Sequence, residues 1–222
     1  ETRPMFSCLR FEYGEKGLAV IATDGYRLSR KVEKVSCKDR GGVMVSARIM
    51  REVERILQRL AKDSVDIALS EESGQVFFTT GDCVIALRMI EGEYPAYRAI
   101  VPQECETQIE VSAAELLSAA KTAMVFSKEV SGIITLKITG KVMFVSSIAS
   151  TGESNSEVDI KMIKGSSGEI SFNGKYLIDF LGAIGDVDLW FGMNESLKPG
   201  MFTLPTEKDF YYVVMPFRVT GK

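Results

Sequence analysis

Asp24 stands beside Tyr26 and Arg27 and is the best-placed carboxylate for acid–base chemistry in this sequence. No second acid lies at a telling spacing from it, and an aspartate between two strand-like runs more simply holds a turn. There is no histidine among the 222 residues, which excludes Ser-His-Asp and Cys-His nucleophiles and the usual imidazole proton shuttle. The four cysteines, Cys8, Cys37, Cys83 and Cys105, are widely and unevenly spaced with no C-x-x-C pair. A zinc site would need an all-cysteine or carboxylate shell, and the spacing offers neither, so they read as isolated buried or half-buried thiols. Neither the phosphate loop G-x-x-x-x-G-K-[ST] nor the dinucleotide fingerprint G-x-G-x-x-G occurs. No metal and no cofactor is expected, and the residue inventory argues against an enzyme.

The residues that could do something are cations. From Arg48, a turn of ~100° per residue places Arg51, Arg55, Arg59 and Lys62 within an arc of ~80°. Ile49, Met50, Val53, Ile56, Leu57 and Leu60 fall on the other side, which predicts a helix over 46–61 with one core face and one cationic face. Glu52 and Glu54 flank the row. A solvated basic face is one reading. The other is a phosphate-facing helix, whose cations along ~20 Å would attract a duplex backbone without reading its bases. Lys121 and Lys175 add weaker signals on two further predicted helices, with Asp179 set against Lys175.

These helices recur in a weak internal repeat. Val43-Met-Val-Ser-Ala-Arg-Ile-Met50 resembles Ile109-Glu-Val-Ser-Ala-Ala-Glu-Leu116, and both resemble Ile170-Ser-Phe-Asn-Gly-Lys-Tyr-Leu177. Each reads as a short strand, a Ser or Asn cap and an apolar helical pattern, with Ser112 and Glu115 forming a capping box. Strands are predicted at 64–70, 75–80, 83–90, 132–139, 141–147, 187–193 and 211–215, separated by Gly-containing turns. The unit is one helix followed by about three strands, an α+β pattern with mostly antiparallel pairing. The chain opens with three strands, at 6–13, 18–23 and 27–35. Counting back one period puts their helix before residue 1; alternatively the first unit simply lacks one.

Composition sets the remaining bounds. Hydrophobic residues make up 45% and charged residues 26%, which suits a protein with a real core of one or two domains. The net charge of −3 shows no basic surplus, so any nucleic-acid role needs its positive charge concentrated in one place. The apolar runs are too short to span a membrane, and Glu1-Thr-Arg-Pro4 is no signal peptide, which makes a cytoplasmic location the expectation.

Several segments in order carry a family resemblance: Glu1-Thr-Arg-Pro4, Ala22-Thr-Asp-Gly-Tyr-Arg-Leu28, Ile90-Glu-Gly-Glu-Tyr-Pro-Ala-Tyr97, Ile100-Val-Pro102, Phe172-Asn-Gly-Lys-Tyr-Leu177 and Tyr212-Val-Val-Met-Pro-Phe-Arg-Val219. Together they resemble the second and third domains of the bacterial DNA polymerase III beta sliding clamp, over essentially the whole chain. The resemblance implies the DNA clamp fold, with tandem domains at 1–103 and 104–222, each of two helix-plus-antiparallel-strands half-units, helices lining an inner face and sheets outside. It implies a non-enzymatic DNA replication protein: a processivity factor that encircles duplex DNA without sequence specificity and tethers polymerases, clamp loader and repair proteins. The family's ring is a homodimer closed between domains one and three. Domain one has no counterpart here, so the 222 residues are expected to be monomeric. The cations Arg48, Arg51, Arg55, Arg59, Lys62, Lys121 and Lys175 are then expected to face DNA.

The family also binds short hydrophobic peptide motifs in a pocket between domains two and three. By position, the resemblance implies Phe6, Thr23, Gly25, Tyr26, Arg27 and Leu28 on one side, with Pro95, Arg98 and Ile100 from the interdomain stretch. Domain three would supply Val130, Asn173, Tyr176, Val213, Val214, Met215, Pro216, Phe217, Arg218 and Val219, with Pro199 and Met201 from a loosely matching loop. Tyr26 stands where many relatives have histidine, and Phe217 where the residue is often smaller or more flexible; both enlarge the aromatic surface. Two other readings remain: a stand-alone peptide-binding adaptor without a DNA role, and a small carboxylate-dependent hydrolase or transferase built around Asp24.

Overall fold

A computed structural model describes residues 4–61, 64–127, 132–149 and 152–218. The chain divides into two units: Glu1–Gly25 with Arg30–Ala96, and Tyr26–Ser29 with Tyr97–Lys222.

In the first unit a 3-10 turn, Pro4–Ser7, leads into strands β1 (Cys8–Gly14), β2 (Gly17–Thr23), β3 (Arg27–Glu33, of which the part from Arg30 on belongs to this unit) and β4 (Gly41–Ser46). They form one sheet in the order β3-β2-β1-β4, with β1 antiparallel to both neighbours. The alternating apolar text of β2 buries every second side chain, as a sheet with one core face requires. The β1–β2 turn needs glycine: Gly17 has φ +103°, and a Cβ there would collide with the carbonyl oxygen of Glu33. Helix α1 (Ala47–Leu60) follows, then β5 (Asp66–Ser70), β6 (Gln75–Thr80) and β7 (Cys83–Arg88) as a three-stranded antiparallel sheet. Both sheets and α1 share one core of Phe11, Val45, Val53, Val76, Phe78 and Leu87. The rings of Phe11 and Phe78 meet edge to face at 6.3 Å.

Here one expectation fails. Of the apolar residues on α1, Val53 is buried and Met50 and Leu57 pack partly against the core. Ile49, Ile56 and Leu60 are 45%, 38% and 40% exposed. Only Met50, Val53 and Leu57 of the apolar stripe meet the core, so the contact is a narrow seam. Ser46 takes the cap position, yet its side chain makes no capping bond.

The second unit holds the complete double repeat. After a 3-10 turn, Tyr97–Ile100, come β8 (Thr107–Ser112), α2 (Ala113–Ser127), β9 (Ile133–Thr139), β10 (Val142–Ala149) and β11 (Gly152–Lys164). The second half is β12 (Ser167–Asn173), α3 (Gly174–Ile184), β13 (Asp188–Met193), β14 (Gly200–Leu204) and β15 (Glu207–Val214). The strands lie in the order β12-β9-β10-β11-β8-β13-β14-β15, so the two halves join through β8. Helices α2 and α3 pack side by side, and α2 lies on β9, β10 and β11. Ala113, Ala119, Ala120 and Ala123 of α2 are buried, and these small side chains let the helix approach the sheet closely. The core is aromatic at its centre: Phe180 stacks on Tyr212 at 4.3 Å and Phe191 on Phe202 at 4.7 Å.

Two strands escaped the sequence reading. β11 opens Gly-Glu-Ser-Asn-Ser, a turn-like text, but its first half pairs with β10 and its second half with β8. β14 is short and is held between β13 and β15.

Candidate functional site

The cationic face is present as a surface. Arg48, Arg51, Arg55 and Arg59 are all exposed on α1, and Arg55 donates to Glu52 at 3.0 Å, one turn back. No acid occupies the first turn of α1, and Arg48 sits there. A cation at a helix N-terminus opposes the macrodipole, so Arg48 does not serve helix stability. Lys121 of α2 and Lys175 of α3 are exposed too, and Lys62 lies outside the described residues. Asp179, set against Lys175 in the sequence reading, ion-pairs instead with Arg27.

In the second unit a cluster forms around the start of α3. Asn173 caps the helix, its side-chain oxygen accepting from the N–H of Lys175 at 3.0 Å. Tyr176 and Asp179 are three residues apart and share one helix face. The Arg27 guanidinium lies 4.6 Å from the centre of the Tyr176 ring and donates to Asp179 Oδ2 at 2.9 Å. The Tyr26 ring stacks against Tyr176 at 6.4 Å yet remains 63% exposed. The hydroxyl of Tyr212 donates to the Tyr176 carbonyl, fixing that turn of α3 to β15.

The terminal segment runs into the same cluster. The Met215 N–H donates to the Tyr26 carbonyl at 2.8 Å, and the Phe217 N–H to the Ser171 carbonyl at 2.7 Å. Val213, Val214 and Leu28 are buried, with Val214 part of the second unit's core, so their side chains offer no surface to a ligand. Met215 and Pro216 are half-buried; Arg218 is exposed, and Phe217 is 49% exposed. Pro199 and Met201 are half-buried at the start of β14. Arg98 is exposed, its guanidinium 4.9 Å from the centre of the buried Tyr97 ring, and Ile100 is half-buried. The arrangement offers aromatic and apolar surface around fixed backbone groups, which suits capture of an extended peptide.

The remaining candidates belong to the first unit. Phe6 packs over Gly25, where an added Cβ would come within 3.3 Å of the ring and where φ is +89°. The Gly25 N–H donates to the Thr23 hydroxyl at 3.1 Å, closing the turn that presents Tyr26 and Arg27. Pro95 is half-buried beside Tyr94, whose hydroxyl donates to the Ile21 carbonyl. Val130 and Val219 lie outside the described residues. Asp179 was missed as a site residue, since nothing in the local text ties it to Arg27. All four cysteines are free thiols, and no cluster of metal-ligating side chains occurs among the described residues. No helix among them is long and apolar enough to cross a membrane.

Comparison with known proteins bears on the whole chain. A relative named beta sliding clamp in Synechococcus elongatus is 27% identical over 225 residues, covering 99% of this chain and 60% of its own length. Another of that name in Staphylococcus aureus is 27% identical and matched over 58% of its length. A crystal structure of a DNA polymerase sliding clamp from Pseudomonas aeruginosa superposes with TM-score 0.89 at 26% identity, covering 99% of this chain and 60% of that one. The beta subunit from Thermotoga maritima gives TM-score 0.90 at 24% identity, covering 98% of this chain and 59% of its own, and speaks to the fold alone. The chain thus spans about three-fifths of the length of these relatives. The family model for the central domain of the DNA polymerase III beta subunit matches residues 1–96, and that for its C-terminal domain matches residues 98–218. With more than half its length under the second model alone, this α+β chain of clamp fold belongs to the DNA polymerase III beta subunit family.

Proposed function

We propose that this chain is the central and C-terminal part of a sliding clamp: a non-catalytic processivity factor of DNA replication that holds duplex DNA without reading its sequence and carries polymerases and other replication proteins by short hydrophobic motifs. The two matched segments are then clamp domains two and three. The observation that carries the DNA half is the exposed arginine row of α1, which begins with Arg48 in the first turn, where a cation does not favour its own helix. Its partner half rests on the aromatic and apolar cluster beside the terminal strand. By themselves the 222 residues are proposed to be cytoplasmic and monomeric, since the family's ring contact requires a domain with no counterpart in them.

Duplex binding followed by fluorescence anisotropy against salt tests the first half. Replacing Arg48, Arg51 and Arg59 by alanine is expected to weaken binding equally for unrelated sequences. Each lost phosphate contact should flatten the slope of log affinity against log salt by ~0.9. An unchanged slope refutes the role of α1. Titration with a labelled apolar pentapeptide tests the second half, with Met215→Ala expected to weaken it; undiminished binding removes the groove. A sedimentation mass of two copies overturns the monomer.

A further inference from the structure

Resting on the peptide-groove reading, we propose that Asp179 is a specificity-determining residue. It holds Arg27 against Tyr176 and compensates its charge, so that the groove prefers an uncharged residue over an acidic one where a bound peptide meets Arg27.

The argument starts from α3. Tyr176 and Asp179 lie on one face, and a single guanidinium engages both, 4.6 Å from the ring centre and 2.9 Å from the carboxylate. The side chains of Arg27 and Asp179 are 27% and 43% exposed, so the pair lies at the surface where a ligand can reach it. Beside it stands the exposed Tyr26 ring, stacked against Tyr176, and the Met215 N–H of the terminal segment donates to the Tyr26 carbonyl. A bare arginine on this aromatic surface would select acidic peptides. An arginine already matched by a carboxylate on the adjacent helix does not. An incoming peptide carboxylate must displace Asp179, which is tethered three residues from Tyr176, or sit beside it at the cost of like-charge repulsion. A neutral residue meets neither penalty.

Partly exposed pairs interact weakly, which sets the expected scale at about two- to tenfold in affinity. The test uses the whole 222-residue chain and a set of fluorescein-labelled apolar pentapeptides carrying one serine at each position in turn, each paired with the same peptide carrying aspartate there. In the unaltered chain, serine peptides are expected to bind as well as or better than their aspartate partners. In Asp179→Asn at least one aspartate peptide should gain about three- to tenfold, with its serine partner unchanged within about twofold, and 0.5 M salt should shrink the gain. Asp179→Glu should keep the original preference, and adding Arg27→Ala to Asp179→Asn should abolish the gain. If serine peptides bind normally but no ratio moves in Asp179→Asn, the proposal is overturned. If a folded Asp179→Asn chain loses all peptides alike, Asp179 shapes the groove without selecting charge, and the proposal is again overturned. If no peptide binds the unaltered chain, the groove reading itself fails, which this design separates from the other outcomes.

Discussion

Gly174→Ala puts the packing at the start of α3 under direct test. Gly174 is the first residue of the helix, buried, next to the capping Asn173 and two residues before Tyr176. A Cβ built there lies 2.8 Å from Ile134 Cγ1 and 2.9 Å from Met124 Sδ, with Ile134 Cδ1 closer still. Comfortable carbon contacts are ~3.5–4.0 Å, so each neighbour must retreat by about 1 Å. Met124 is unbranched and can yield. Ile134 is fully buried, and the clash reaches its Cγ1 as well as its tip, so the whole side chain must move. Overpacking of this kind costs about 1–3 kcal/mol. Against it stands the helix preference of alanine over glycine, up to ~1 kcal/mol in a helix interior. Because the cost exceeds the gain, net destabilisation of about 1–2 kcal/mol is expected, a fall in Tm of roughly 3–8 °C for a unit of this size. Circular dichroism melts measure it. Ile134→Val removes Cδ1, so the double variant should recover part of the loss, with a coupling of about 0.5 kcal/mol or more. A Tm unchanged or raised by Gly174→Ala, or no coupling to Ile134→Val, refutes this account of why glycine follows the cap.

Val53→Ala should cost about 2 kcal/mol, since it empties the only fully buried position of α1, whereas Ile56→Gln on the exposed flank should stay within ~0.5 kcal/mol; urea denaturation of both separates a seam from a full helix–sheet interface. The Glu110 carboxyl is held below the usual carboxylate range by the hydrogen bond from the Trp190 indole and then by Lys161. A folded-state pKa depressed below the unfolded one gives stability that is present above the unfolded value and lost as pH falls through the folded one. Glu110→Gln should therefore be less stable than the parent at pH 7, with the gap closing below about pH 4; a pH-independent gap contradicts the charge's part. Burial pushes the thiols of Cys8 and Cys105 up, the latter partly offset by Lys164, so iodoacetamide at pH 8 should label Cys37 and Cys83 before either, as read by mass spectrometry of tryptic peptides. Faster labelling of Cys105 would mean that Lys164 dominates over burial.

The helices were legible because each announces itself locally: a polar cap, then apolar residues at helical spacing. α1, α2 and α3 begin at Ala47, Ala113 and Gly174, one residue after the predicted caps. At α2 the Ser112 hydroxyl accepts from the Glu115 N–H, and at α3 Asn173 binds the Lys175 N–H. β11 was not legible, since Glu153-Ser-Asn-Ser-Glu157 carries turn-forming residues whose extended state is imposed by pairing with β10. Its readable alternation begins only at Val158, where the text turns to Val-Asp-Ile-Lys-Met. The aromatic stack of Phe180, Tyr212 and Phe202 is similarly invisible in one dimension, because its members come from α3, β15 and β14.

The two halves of the candidate site differ in the same way. An amphipathic period states which side chains of α1 share a face, and the four arginines do emerge together at the surface. It does not state how much of the opposite face will be covered: the core meets Met50, Val53 and Leu57, while Ile49, Ile56 and Leu60 stay exposed. The Arg27–Asp179 pair spans 152 residues of sequence, and no local rule links its partners. The turn closed by Thr23 and Gly25 and the cap at Asn173 are each readable by themselves, since each rests on a hydrogen bond between near neighbours in sequence. Charge rows along one helix are thus the part of a binding surface that sequence can reveal, while charge compensation between elements is the part that decides selectivity and needs the fold.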